Sequence, residues 1–115
     1  MAQLENKLED YRKIIAQILQ NHGQYKPSHG EIKTFMIQDE MANNCLLLDA
    51  GWDRTGRVHV VVFHLRIVDD KIWIEVDGTE KGIALELMEL GIPQEDIVWG
   101  FIRPQNRPVT KFSVA

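Results

Sequence analysis

Residues 32–38, 45–52, 58–68 and 71–76 are strand-like apolar runs, and very little chain separates one run from the next. "MANN" has the composition of a turn, "DRTG" that of a hairpin loop, and "DD" leaves room only for a two-residue turn. A parallel pair of neighbouring strands needs a crossover of a dozen or more residues. The spacing therefore predicts a four-stranded antiparallel meander.

The alternation within these runs constrains the layers. In the third run Val58, Val60 and Val62 fall on one face, and Val61, Phe63, Leu65 and Ile67 on the other, if side chains switch sides at every residue. In the second run Leu46 and Leu48 oppose Cys45 and Leu47. A sheet with one wet face would alternate apolar with polar residues. Both faces here read as apolar, so helices on one side leave the other in need of cover. Another subunit is the simplest candidate.

Helices flank the sheet. Leu4, Leu8, Tyr11, Ile15 and Ile18, widened by Ile14 and Leu19, form one face of an amphipathic helix over residues 4–22, with Gly23 as a left-handed stop. "QYKPSHGE" then reads as a loop broken by Pro27 and Gly30. After the sheet, Ile83, Ala84, Leu87 and Met88 mark a second helix. Asp77 with Glu80 resembles a capping box, Thr79 is a competing cap, and Gly91 followed by Pro93 signals the end. "PQEDIV" reads as a further short helical turn, and "RPQNRPVTKFSVA" as an extended, docked tail. The expected architecture is a single α+β domain over residues 1–115.

Composition excludes several classes of function. Thirteen Lys and Arg against seventeen Asp and Glu leave a net charge of −4, and a protein that grips DNA unaided usually presents a basic stripe. Independent DNA binding is therefore disfavoured, although a local basic patch is compatible with this balance. Cys45 is the single cysteine, which excludes an intrachain disulfide and a multi-cysteine zinc site. The opening "MAQLENKLEDYRK" interleaves charge with apolar residues, and no apolar run approaches the length of a membrane span. A cytoplasmic protein without a membrane segment is expected.

No catalytic constellation stands out. His59 and His64 are five apart on one strand, which strict alternation puts on opposite faces, and a metal site built from them is disfavoured. Ser28 and Ser113 lie in no nucleophile elbow, and "EIK" lacks the upstream half of a nuclease metal motif. No phosphate loop or cofactor fingerprint is present. The residues with the best claim to an interface or binding role are Trp52, Arg54, Arg57 and His59 around the hairpin loop, Trp73 with Glu75 on the fourth run, and Arg103 and Arg107 in the tail. Aromatic and Arg residues are the usual anchors of interfaces.

Taken in order, "LEDYRKIIAQILQNHGQYKPSHGEI", the long stretch from "GWDRTGRVHVVVFHLRIVDDKIWIEVDGTE" to "LGIPQEDIVWGF", and "RPQNRPVTKFSVA" resemble the XisI family over nearly the whole chain. Trp99 departs from that pattern, standing where an aliphatic residue is expected. The resemblance implies a controlling factor for excision of the cyanobacterial fdxN element during heterocyst differentiation, with a separate recombinase breaking and joining the DNA. It also implies a small nuclease-related partner, XisH. It supplies no catalytic residues. The leading expectation is a non-enzymatic accessory factor acting through contacts with itself, as a dimer or higher oligomer, or with an XisH-like protein. The alternative is a small-molecule-binding protein or small enzyme with its site near residues 52–59 and the tail arginines.

Overall fold

The computed structural model describes residues 2–24, 31–39, 41 and 43–115, with side chains from residue 7 onward. Helix α1 spans Ala2–Gly23, and strands β1 to β4 span Glu31–Asp39, Asn44–Asp53, Gly56–Val68 and Lys71–Asp77. Helix α2 (Ile83–Glu89) leads through a 3-10 turn at Gln94–Asp96 into a fifth strand, β5 (Ile97–Trp99), and the chain closes with a 3-10 helix at Pro104–Thr110. The loop expected around Pro27 and Gly30, together with His29 and Ser28, lies outside the described residues, as does the side chain of Leu4.

The meander is present as β1-β2-β3-β4, antiparallel throughout, but the sheet has five strands and is mixed. β5 pairs in parallel with β4, Ile72 opposite Ile97 and Ile74 opposite Trp99. The expected helical turn "PQEDIV" stops at Asp96, and Ile-Val-Trp extends instead. β-branched residues favour the extended state, and the α2 connection supplies the long crossover that a parallel pair requires. Ile97 and Val98 are fully buried as a result. The tail also differs from expectation, because residues 104–110 coil rather than extend.

Each short connection has a local cause. Asp69 and Asp70 both take left-handed backbone angles, φ 51° and 62°, as a type I′ hairpin demands. Aspartate tolerates that region better than most non-glycine residues. At the other hairpin the turn is Arg54–Thr55, closed by Asp53 opposite Gly56. The Asp53 carboxylate accepts from the Thr55 backbone N–H (2.8 Å) and hydroxyl (2.6 Å), and those bonds hold its pKa below the usual value.

One layer of helix covers one face of the sheet. Tyr11, Ile15, Ile18 and Leu19 of α1, with Ile83, Ala84 and Leu87 of α2, pack on Cys45, Leu47, Phe63, Leu65, Ile67, Ile72 and Ile74. Gly23 is not left-handed. It lies against the Met36 side chain of β1.

The start of α2 also departs from the expected capping box. Asp77 reaches across the loop: Oδ2 accepts from the Ile83 N–H at 2.8 Å, and Oδ1 accepts from the Thr79 N–H and hydroxyl. The Thr79 hydroxyl in turn accepts from the Gly82 N–H. Gly82 itself, at φ 96°, occupies the N-cap position. The C-terminus is as the sequence suggests: Gly91 (φ 103°) donates to the Met88 carbonyl and Ile92 to the Leu87 carbonyl, a Schellman closure with Ile92 and Leu87 both buried.

Asp77→Ala is expected to cost about 1–2 kcal/mol in denaturant unfolding, since it orphans the first helical N–H and the Thr79 turn together. Glu80→Ala, which a capping box would make comparably costly, is expected to stay within about 0.5 kcal/mol of the parent.

Candidate functional site

Two β-bulges decide which side chains share the uncovered face. In the β2–β3 ladder Leu47 opposes Phe63 but Leu48 opposes Val61, so Val62 is extra. Phe63 faces the helices. Val61, His59 and Arg57 therefore lie on the opposite face, with Leu48, Ala50 and Trp52 beside them. Strict alternation put Val61 with Phe63; the inserted residue reverses that parity. A second irregularity, between His64 and Leu65 in the β3–β4 ladder, makes Glu75 the extra residue. Val76 thereby leaves the core side, where alternation with Ile74 placed it, and is exposed opposite His64.

The bulge also brings His59 and His64 to one face, contrary to the simple spacing argument. They remain separated along the strand, and no cluster of three or more metal-ligating side chains occurs among the described residues. His64 is turned to the Asn44 side-chain oxygen, 2.9 Å away. Burial lowers its pKa, against the opposing pull of Glu75 and with the help of Arg66.

The uncovered face has a continuous apolar centre. Phe35 opposes Leu48, Ile37 opposes Leu46, and Leu48 opposes Val61, giving adjacent rows on β1, β2 and β3. Phe35 and Ile37 are each 44% exposed. Polar residues rim it: Lys33 and Glu31 on β1, Arg57 and His59 on β3, and Arg66 and His64 farther along.

At the hairpin end the helices no longer reach the sheet, and Val60, on the helix side, is half exposed. Trp52 is 58% exposed, with the Arg57 guanidinium 5.6 Å from its ring centre. Glu31, Ile32, Lys33, Phe35, Trp52 and Arg57 border a shallow open depression of about 580 Å³. Arg54 and His59 are exposed nearby, His59 on the same face as Arg57.

The tail clasps the other half of the face. Arg107 is only 8% exposed, stands 4.9 Å from the Trp73 ring centre, and donates from Nε to the Ile102 carbonyl (3.0 Å) and from Nη1 to that of Val114 (3.3 Å). Arg66 approaches the same ring at 5.8 Å and donates from Nε to Glu75 at 2.6 Å. Gly100 lies against the Glu75 carboxylate and donates its N–H to the Ile74 carbonyl at 2.9 Å. Trp73, Glu75 and Arg107 thus converge around the tail, whereas Arg103 points into solvent. Trp99 packs edge-on against Phe101 and Phe112, its indole N–H buried without a hydrogen-bond partner among the described residues.

One buried polar cluster has no local signal in the sequence. Asp96 accepts from the Tyr11 hydroxyl and pairs with Lys7 at 2.9 Å, joining residues 85 apart. Burial and then Asp96 hold the Tyr11 hydroxyl above its ordinary pKa. The cluster ties the Gln94–Asp96 turn to α1 and is closed to a substrate, Asp96 being buried.

A protein-family model described as XisI protein matches residues 5–114. Two solved structures are similar over nearly their whole length. The crystal structure of a XisI-like protein from Anabaena variabilis shares 31% identity at a TM-score of 0.87, covering 94% of this chain and 99% of that one. The crystal structure of the fdxN element excision controlling factor XisI from the same organism shares 36% identity at a TM-score of 0.80, covering 95% and 99%. No curated protein matches.

Two measurements test this geometry. Arg107→Ala removes a ring contact and two hydrogen bonds from a charged donor, and is expected to lower unfolding stability by about 2 kcal/mol. Arg107→Lys is expected to recover less than half of that, since an ammonium cannot stack and fork at once. His64, with a folded pKa below its unfolded value of about 6.5, stabilises the fold above that pH. Its contribution is lost as pH falls through the folded value. An NMR titration is expected to place the His64 midpoint below that of the denatured chain.

Proposed function

The chain belongs to the XisI family, and from that premise we propose that it is a non-enzymatic controlling factor for programmed excision of a DNA element, working through protein–protein contacts. One observation carries the reading: the apolar rows of Phe35, Ile37, Leu46, Leu48 and Val61 on a sheet face that no helix among the described residues covers. Contiguous apolar surface rimmed by charge is characteristic of association sites. The partners proposed are a second copy of the chain and an XisH-like, nuclease-related protein. The similar Anabaena protein is itself described as an excision controlling factor.

The chemistry of the described residues supports a role other than catalysis. The buried carboxylate Asp96 is engaged by Tyr11 and Lys7. The Cys45 thiol is buried, and burial pushes its pKa up to about 12, far from the low-pKa exposed thiols that act as nucleophiles. Direct reading of DNA is a lesser part of the proposal, given the net charge of −4.

A second reading, a small-molecule site, rests on the depression of about 580 Å³ beside Trp52 and Arg57. Its width and openness suit a protein surface better than a ligand, most of whose area a pocket normally encloses.

Light scattering is expected to return a mass above one chain, or co-purification with an XisH-like protein to return a defined complex. Phe35→Asp or Ile37→Asp, placing charge in the apolar rows on β1, is expected to weaken that association at least tenfold while leaving the circular dichroism spectrum intact. A monomer that ignores the XisH-like protein overturns the proposal.

A further inference from the structure

β1 is the open edge of the sheet. It pairs with β2 on one side, and among the described residues nothing pairs with its other side. The phase of its hydrogen bonding follows from two observations. The Ile67 N–H donates to the Asn43 carbonyl at 2.9 Å, and Asp53 opposite Gly56 closes the two-residue hairpin. Backbone groups alternate direction along an antiparallel strand, so the odd-numbered residues of β2 face β3 and the even-numbered ones face β1. Their partners in β1 are Glu31, Lys33, Phe35, Ile37 and Asp39. The backbone N–H and C=O groups of Ile32, Thr34, Met36 and Gln38 therefore point outward.

This edge lacks most of the protection expected of a monomer. Edge strands are commonly blunted by proline, bulges, brevity or charged side chains, and of these β1 carries only charge, at Glu31, Lys33 and Asp39. β1 has nine residues, no proline and no bulge against β2. Phe35, Met36 and Ile37 are consecutive and 44%, 47% and 44% exposed, so apolar surface is offered on both sides of the edge.

We propose that β1 pairs antiparallel with β1 of a second copy about a two-fold axis at Met36, joining two five-stranded sheets into one of ten. This rests on the self-association proposed above and names its surface. The register follows from charge. With Met36 opposite itself, Thr34 falls opposite Gln38, Phe35 opposite Ile37, and Lys33 opposite Asp39, each pair occurring twice. Outward-facing backbone groups meet one another at Met36, Thr34 and Gln38, and the two ion pairs and two apolar pairs share the uncovered face. Moving the axis to Phe35 keeps the hydrogen bonding but sets Glu31 against Asp39, like charges opposite one another, and Lys33 against Ile37. Moving it to Lys33 sets Lys33 against itself. Asp39 also accepts from the Met41 N–H at 3.1 Å, which fixes its carboxylate near the strand.

Cysteine scanning reads the register directly, because the native Cys45 is buried. Residues opposite one another in a hydrogen-bonded antiparallel pair have Cα atoms about 5.5 Å apart, within disulfide reach. Met36→Cys is expected to convert mostly to a disulfide-linked dimer under mild oxidation, and Phe35→Cys to do so at least tenfold less. Met36→Pro, which removes the outward N–H at the axis, is expected to bring the light-scattering mass to the 13.3 kDa of one chain with the sheet signal retained. Lys33→Asp is expected to weaken the dimer, and Lys33→Asp with Asp39→Lys to restore it. A wild-type oligomer with no Met36→Cys cross-link, unaffected by the charge reversal, overturns the edge assignment and leaves self-association standing. A wild-type monomer overturns both.

Discussion

Cover is the constraint from which the rest of this structure follows. β3 runs for thirteen residues, yet α1 and α2 reach across only the half that carries Phe63, Leu65 and Ile67. Those three, with Ile72, Ile74 and Ile18, are almost wholly withdrawn from water. Burial of such side chains is worth about 1.5–3 kcal/mol apiece, so the covered half holds the fold together. The other half of β3, with the facing stretches of β1 and β2, is a three-stranded ribbon whose faces are both partly bare. What the domain offers to another molecule is what its helices leave uncovered.

The bulge at Val62 is how one strand serves both regimes. Toward the C-terminal end its odd-numbered residues face the helices. Toward the hairpin, odd-numbered Val61, His59 and Arg57 face away from them. The same residues held in strict alternation, with no bulge, would turn the even-numbered side chains outward and place Arg57 and His59 on the side of the helices. The extra residue therefore sorts side chains rather than merely bending the strand. The same logic explains Glu75, whose insertion in β4 lets its carboxylate meet Arg66 while Ile74 stays in the core.

These details show what could be read from residue order and what could not. The existence and pairing of β1 to β4 were legible because short connections leave almost no topological freedom, and the amphipathic face of α1 was legible because four of its apolar positions go into the core. The bulges were not legible: Val-Val-Val carries no mark saying which valine is extra, and the choice is made by the partner strands. β5 was missed for a related reason. "EDIVW" is consistent with a helical turn locally, and only the vacant flank of β4 decides that Ile97–Trp99 extends. Among the candidate site residues, Arg107 was legible as an interface or binding candidate because its charge is visible in sequence. Its stacking on Trp73, contributed by a strand more than thirty positions earlier, is not.

The two edges of the sheet are treated differently, and that difference bears on the size of any assembly. At one end β5 is three residues long, and Ser113 bridges onto it through Val98, its N–H donating to the Ile97 carbonyl at 2.9 Å. The tail that supplies Ser113 is pinned by Arg107 on Trp73 and by Lys71 on the Ser113 hydroxyl. That edge is short and occupied. At the other end β1 is long, and among the described residues nothing pairs with its outer side. A sheet open at both ends propagates into a fibre, whereas one open edge paired with its own copy occupies the outward backbone groups of Thr34, Met36 and Gln38 and stops at two. Lys33 enforces the same outcome chemically: in the register that places it opposite Asp39 it contributes attraction, and in the register centred on Lys33 it contributes repulsion. An exposed apolar edge on an acidic chain is thereby compatible with a closed pair, leaving the hairpin end with Trp52 and Arg57 available for a different partner.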